Sequence, residues 1–127
     1  MSTALQQLIE RHALPIIGKQ DFARFIADTK PSVLFFAESP DRYPETADVA
    51  CVLPEIVKAF PGLRAALVDA EHEHALQEQF DFTRWPSLAF FRDGRYLGAI
   101  SGILTWEDYQ LRIQRLLDEN ALPVLNI

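Results

Sequence analysis

The dipeptide Asp93-Gly94 lies between two apolar runs, Ser87-Leu88-Ala89-Phe90-Phe91 and Tyr96-Leu97-Gly98-Ala99-Ile100. An Asp-Gly pair tolerates the left-handed backbone of a two-residue hairpin turn, so the two runs are expected to pair as antiparallel strands. A lone hairpin is marginal in water, and this one therefore needs further strands and a cover. Upstream, Val33-Leu34-Phe35-Phe36-Ala37 is apolar without alternation. That pattern predicts a strand over 32–37 buried on both faces. A second buried strand is expected over 63–68. Leu14-Pro15-Ile16-Ile17 reads as a short strand or extended link.

Helices fill the gaps. Leu5, Leu8 and Ile9 recur at helical spacing, which predicts an amphipathic helix over 3–13. Asp21 is the expected cap of a helix carrying Phe22, Phe25 and Ile26, with Pro31 as its stop. Thr46 or Asp48 starts the next, with Val49, Val52, Leu53, Ile56, Val57 and Phe60 inward and Pro54 inside it; Pro61-Gly62 ends it. Residues 69–80 are expected to be helical, with Leu76 and Phe80 inward. Thr105 caps the last helix, with Asp108 at the reciprocal position. Its stripe of Trp106, Tyr109, Ile113, Leu116 and Leu117 reads as core, and Asn120 closes it. The main elements run β-α-β-α-β-β-α behind an N-terminal helix. Strands joined through a helix pair in parallel by right-handed crossovers, whereas the hairpin adds antiparallel strands. The predicted class is α/β, a mixed central sheet with helices on both faces, over a single domain 1–127.

The chain has 127 residues, 49% hydrophobic and 24% charged, with a net charge of −6. Acidity disfavours nucleic acid and anionic membrane surfaces and suits a basic partner, although on charge by itself solubility is the favoured explanation. No apolar run is long enough to insert in a membrane. Residues 1–5 lack the layout of a secretion signal, so the expected location is cytoplasmic. The single cysteine, Cys51, excludes an internal disulfide.

This order of elements resembles thioredoxin over roughly 14–119. The segment Phe80-Asp81-Phe82-Thr83-Arg84-Trp85-Pro86-Ser87 is similar to the family stretch that ends in a cis proline facing the redox site, with Pro86 at that position. Pro54 matches the family's helix-kinking proline; Gly94 and Gly102 match glycines of its hairpin and of the turn after it. The departures are chemical. Where thioredoxins carry Cys-x-x-Cys, this chain has Ser39-Pro40-Asp41-Arg42-Tyr43-Pro44-Glu45 in a longer loop, and the family's buried acid falls at Leu34. A thiol-disulfide enzyme needs a low-pKa thiolate at a helix N-terminus and a resolving thiol, and Cys51 supplies neither. Phe36-Ala37-Glu38-Ser39-Pro40, Val68-Asp69-Ala70-Glu71 and Arg84-Trp85-Pro86-Ser87-Leu88 are more closely similar to the hydrogenase accessory proteins of the HyaE or HupG type. The resemblance implies a cytoplasmic, non-catalytic chaperone for an uptake nickel-iron hydrogenase. Its implied partners are the small subunit and that subunit's twin-arginine signal peptide.

In such a frame, backbone groups beside the proline are not all used by the sheet and can pair with an extended peptide. Trp85, Pro86 and Ser87 are the expected platform, with Glu38, Asp41, Glu45 and Asp48 facing arginines of the peptide. The plainer alternatives are that Trp85 is core and the acids a solvated loop. Two function classes stand beside the chaperone: a single-thiol enzyme or sensor through Cys51, otherwise a small buried apolar residue, and a passive adaptor. A homodimer is left open. His72 and His74 invite a metal, but two residues apart on a helix they point different ways. No metal or other cofactor is expected. The apolar tail 121–127 is expected to dock on its own domain or on another chain.

Overall fold

The computed structural model describes residues 3–37 and 45–118. The order is α1 (Thr3–Arg11), β1 (Ile16–Ile17), α2 (Lys19–Ile26), β2 (Ser32–Phe36), α3 (Glu45–Ala59), β3 (Arg64–Val68), α4 (Glu73–Gln77), β4 (Ser87–Arg92), β5 (Arg95–Ser101) and α5 (Trp106–Leu117). The five strands form one sheet in the order β1-β3-β2-β4-β5. The β1–β3 and β2–β3 pairs are parallel, and β2–β4 and β4–β5 are antiparallel.

The unbroken apolar run of β2 explains its central place. All five of its residues are buried, and successive side chains enter opposite cores. Val33 and Phe35 join Leu8, Leu53, Ile56 and Ile113 on the face covered by α1, α3 and α5. Leu34 and Phe36 join Phe22, Ile26, Leu76 and Phe91 on the face covered by α2 and α4. At about 1.5–3 kcal/mol for each large apolar side chain removed from water, the central strands anchor both layers. Leu34, where the resemblance to thioredoxin places that family's buried acid, has zero exposure.

Several boundaries differ from expectation for physical reasons. Helix α1 ends at Arg11, and Ala13 takes a left-handed φ of 50° before Leu14 N–H returns to the Leu8 carbonyl. Helix α2 starts at Lys19 behind Gly18, with Asp21 inside its first turn; there the carboxylate meets the positive helix end and Arg24. Helix α3 starts at Glu45, and Thr46 turns inward to donate from Oγ1 to the Ala37 carbonyl at 2.6 Å. Pro54 lies within it and withholds a backbone donor from the preceding turn. The helix expected over 69–80 shrinks to α4. Asp69 competes for the backbone at its start: its Oδ1 accepts from Glu71 N–H at 3.2 Å, and its carbonyl accepts from His72 N–H at 2.9 Å. Asn120 and the tail 121–127 lie outside the described residues, and α5 ends at Leu117.

The hairpin forms as its turn residues require, with Asp93 at φ 55° and Gly94 at φ 77°. Its tip is strapped to the end of α2: Asp93 N–H donates to Asp28 O at 3.0 Å and Gly94 N–H to Ile26 O at 2.9 Å. Arg92 Nη1 reaches the Leu117 carbonyl at 3.0 Å and secures the end of α5. Thr105 caps α5 as expected, its Oγ1 accepting from Asp108 N–H at 3.2 Å.

Candidate functional site

At the opposite end of the sheet from the hairpin tip, the Trp85–Pro86 peptide bond is cis. Ser87 follows it at the start of β4, opposite Phe36 on one side and Ser101 on the other. Three bonds fix the segment. The Pro86 carbonyl accepts from Gly102 N–H at 2.8 Å. Ser87 Oγ donates to the Arg84 carbonyl at 2.5 Å, and it lies 2.6 Å from Ser101 Oγ. Ser87 is buried, so its hydroxyl holds the segment in shape and is not presented to a ligand.

Trp85 is the open member. Among the described residues, no backbone hydrogen bond engages its N–H or C=O. Its ring is half-buried, with its centroid 4.8 Å from the His74 ring at a 30° tilt and 6.1 Å from Phe82. The indole Nε1 is buried and without a partner. Such an orphaned donor costs about 1–3 kcal/mol.

Glu45 and Asp48 stand exposed in the first turn of α3, at the same end of the sheet. Glu45 Oε2 accepts a long bond from Ile103 N–H at 3.4 Å. Gly102, at φ 75°, lies beside that carboxylate; its carbonyl accepts from the Tyr109 hydroxyl at 3.1 Å. The turn after β5 therefore joins Pro86, Glu45 and Tyr109. Burial raises the Tyr109 phenol, a backbone hydrogen bond at Leu104 opposes this, and the charges of Glu45 and Asp48 raise it further. Both carboxylates thus sit close to the same turn. Glu38 and Asp41 lie outside the described residues.

Two residues of this region were not legible as surface. Trp106 and Ile103 are 37% and 38% exposed. The helical stripe assigned Trp106 to the core, but it is the first residue of α5, above the layer that buries Tyr109. Cys51 is also corrected: it is exposed on α3 rather than buried. It lines a small cavity of ≈150 Å³ between α1 and α3 with Gln7, His12 and Pro54. No second thiol exists in the chain to resolve a disulfide. His74 stacks on Trp85, whereas His72 Nδ1 lies 3.7 Å from Asp69 Oδ2. Among the described residues, no group of three potential ligands could hold a metal ion. No helix among them is long and apolar enough to cross a membrane.

A five-stranded mixed sheet with a cis proline at one end and no cysteine pair in the sequence defines the class: a thioredoxin-like fold without the Cys-x-x-Cys motif. The fold likeness extends to mitochondrial thioredoxin 3 of Saccharomyces cerevisiae, with a TM-score of 0.68 at 16% identity over 81% of this chain and 95% of that one. The family described as Hydrogenase-1 expression protein HyaE matches residues 4–109, and the chain belongs to that family. It is 41% identical to the hydrogenase expression/formation protein HoxO of Azotobacter vinelandii, an alignment covering 96% of this chain and 86% of that protein. A crystal structure described as a hydrogenase expression/formation protein, hupG of Rhodopseudomonas palustris, superposes with a TM-score of 0.59 at 42% identity, covering 81% of this chain and 94% of that one.

Proposed function

We propose that this chain is a cytoplasmic, non-catalytic assembly chaperone for an uptake nickel-iron hydrogenase. It binds the hydrogenase small subunit through that subunit's twin-arginine signal peptide and holds it before export. The single observation that carries this is Trp85, whose backbone N–H and C=O are not taken up by the sheet beside a cis proline. An extended peptide can pair with those two groups as an added strand. Glu45 and Asp48 at the same end supply charge-assisted acceptors for a guanidinium. Family membership and the names of HoxO and hupG support a role in hydrogenase maturation.

The test is calorimetric titration of the chain with small-subunit precursor, and with the same subunit lacking its signal. Saturable binding that requires the signal supports the proposal. Equal binding of both forms moves the contact to the mature subunit, and no binding of either removes the partner.

A further inference from the structure

A cavity of ≈270 Å³ opens between α1, α3 and the start of β3. Leu8, Leu14 and Leu53, all buried, line it together with the half-buried Val57 and Ala65. Glu55 and Lys58 also line it and are of opposite sign, so the cavity suits an apolar occupant rather than an ion. Ala65 is the second residue of β3, opposite Val33, and Val57 stands near the end of α3; both lie at the hairpin end of the sheet, away from Pro86. Helix α5 ends there too, on the same face. The Leu117 carbonyl is held by Arg92 Nη1, and Leu116 presses on Gly98, where an added Cβ would meet it at 2.6 Å. Helix α1 leads into the edge strand β1 and α5 packs on the opposite edge strand β5, so α3 lies between them. Leu116, Leu117, Phe60, Val57 and Ala65 are partly buried members of the one core beneath these helices. A half-covered apolar band thus runs from the end of α5, past the end of α3, to the cavity.

We propose that this cavity is the docking site of the chain's own segment 122–127. Asp118 leaves α5 in an extended conformation, with φ −83° and ψ 110°, and Pro123 cannot continue a helix. The polar stretch Asp118-Glu119-Asn120 is followed by the apolar Leu122, Val124, Leu125 and Ile127. The reach is sufficient. From α5 across α3 to the cavity is two helix spacings, roughly 16–20 Å. An extended chain covers roughly 16–18 Å between residues 117 and 122, and roughly 26–29 Å between 117 and 125. Leu122 therefore arrives at the near edge, and Val124, Leu125 and Ile127 have length to spare. Docking removes both the apolar segment and the apolar lining from water, and it asks for no ionic partner. The chain itself then closes the hairpin end. This inference stands apart from the peptide reading, which concerns the other end of the sheet.

The test is nuclear magnetic resonance on the full chain, with Leu125→Asp and Val57→Asp as variants on the two sides of the contact. Cross-relaxation is expected between methyl groups of Leu122, Val124, Leu125 or Ile127 and those of Leu14, Leu53 or Val57. Backbone amides of 124–127 should exchange at least about tenfold more slowly than in an unstructured peptide. Leu125→Asp should abolish both signatures while the rest of the spectrum stays that of the folded domain. Val57→Asp, which puts a charge in the cavity, should do the same from the other side; if it does not fold, Leu125→Asp carries the test. Exchange of 124–127 at unstructured rates in the parent overturns the proposal. So does protection that survives Leu125→Asp, which would place the segment on another surface. Cross-relaxation found only between differently labelled copies in a mixed sample also overturns it, because the occupant would then come from a second chain.

Discussion

The two ends of the sheet are closed in different degrees. At the hairpin end the tip is strapped to α2 through Asp93 and Gly94, Arg92 holds the end of α5, and Arg64 Nη1 donates to the Phe25 carbonyl at 2.9 Å beside Asp28. At the Pro86 end, Ser87 and Gly102 close the backbone around the proline, but Trp85 keeps an unpaired N–H and C=O among the described residues, and Ile103 and Trp106 face solvent. Loops that satisfy their own polar groups hold a fold together. An end that leaves backbone groups and aromatic surface unfilled is suited to a partner. In thioredoxins that end carries the cysteine pair. Here the frame survives without that pair, and the proposed peptide binding falls at this end.

Substitutions should separate the two ends. The largest effect is expected from Trp85→Ala: peptide affinity should fall by about 2 kcal/mol or more, as for an anchoring aromatic, and urea unfolding should shift less than that. A variant that unfolds as easily as it loses affinity would make Trp85 a core residue. Gly94→Val should do the reverse. A β-branched residue at φ 77° costs roughly 1–2 kcal/mol, which should lower the urea midpoint while leaving peptide affinity unchanged. Affinity lost in step with that stability would show that the two ends are not independent. Thr105→Ala removes the acceptor for Asp108 N–H and should cost about 1 kcal/mol in unfolding free energy. Because α5 starts at the open end, it should also loosen Trp106, seen as faster amide exchange over the first turn of α5.

A smaller effect concerns alkaline pH. Tyr96 is raised by burial, by its 2.6 Å hydrogen bond to Asp81 and by that carboxylate's charge; Tyr109 is raised by burial and by Glu45 and Asp48. A raised folded-state pKa favours the neutral phenol in the native state. The stabilisation is therefore full below the ordinary tyrosine value, near 10, and is lost as pH rises through the folded values. Thermal unfolding midpoints should be level on the tyrosine account between pH 7 and 9 and fall above 10. Tyr109→Phe should flatten the part of that fall that originates at the open end.

Much of the frame was legible because its signals are local or strictly periodic. Asp93-Gly94 dictated the hairpin, the unbroken run of β2 predicted burial on both faces, and Thr105 three residues before Asp108 marked a helix start. The proline at the site came from resemblance to thioredoxin rather than from composition. What remained hidden depends on contacts distant in sequence. Asp69 turns the chain through its own side chain and shortens α4, which a helical period cannot show. Trp106 fits the core stripe, yet its place in the first turn of α5 leaves it beyond the layer that buries Tyr109. Cys51 fits a buried helical position in composition but faces outward on α3. The junction of Glu45, Gly102 and Pro86 spans 58 residues between Glu45 and Ile103, and no sequence spacing announces it. Within the candidate set, Trp85, Pro86, Ser87, Glu45 and Asp48 come to one end of the sheet, with Ser87 engaged internally.

The most direct test of the central claim is a titration of the full chain with a hydrogenase small-subunit signal peptide, followed by tryptophan fluorescence at low and at moderate salt. Both tryptophans, Trp85 and Trp106, stand at the open end. The account predicts saturable binding with a shift in emission, weakened by salt because exposed carboxylates meet arginines, and loss of most of that affinity in Trp85→Ala. Binding that leaves the emission unchanged, ignores salt and survives Trp85→Ala would place the partner elsewhere on the molecule and contradict it.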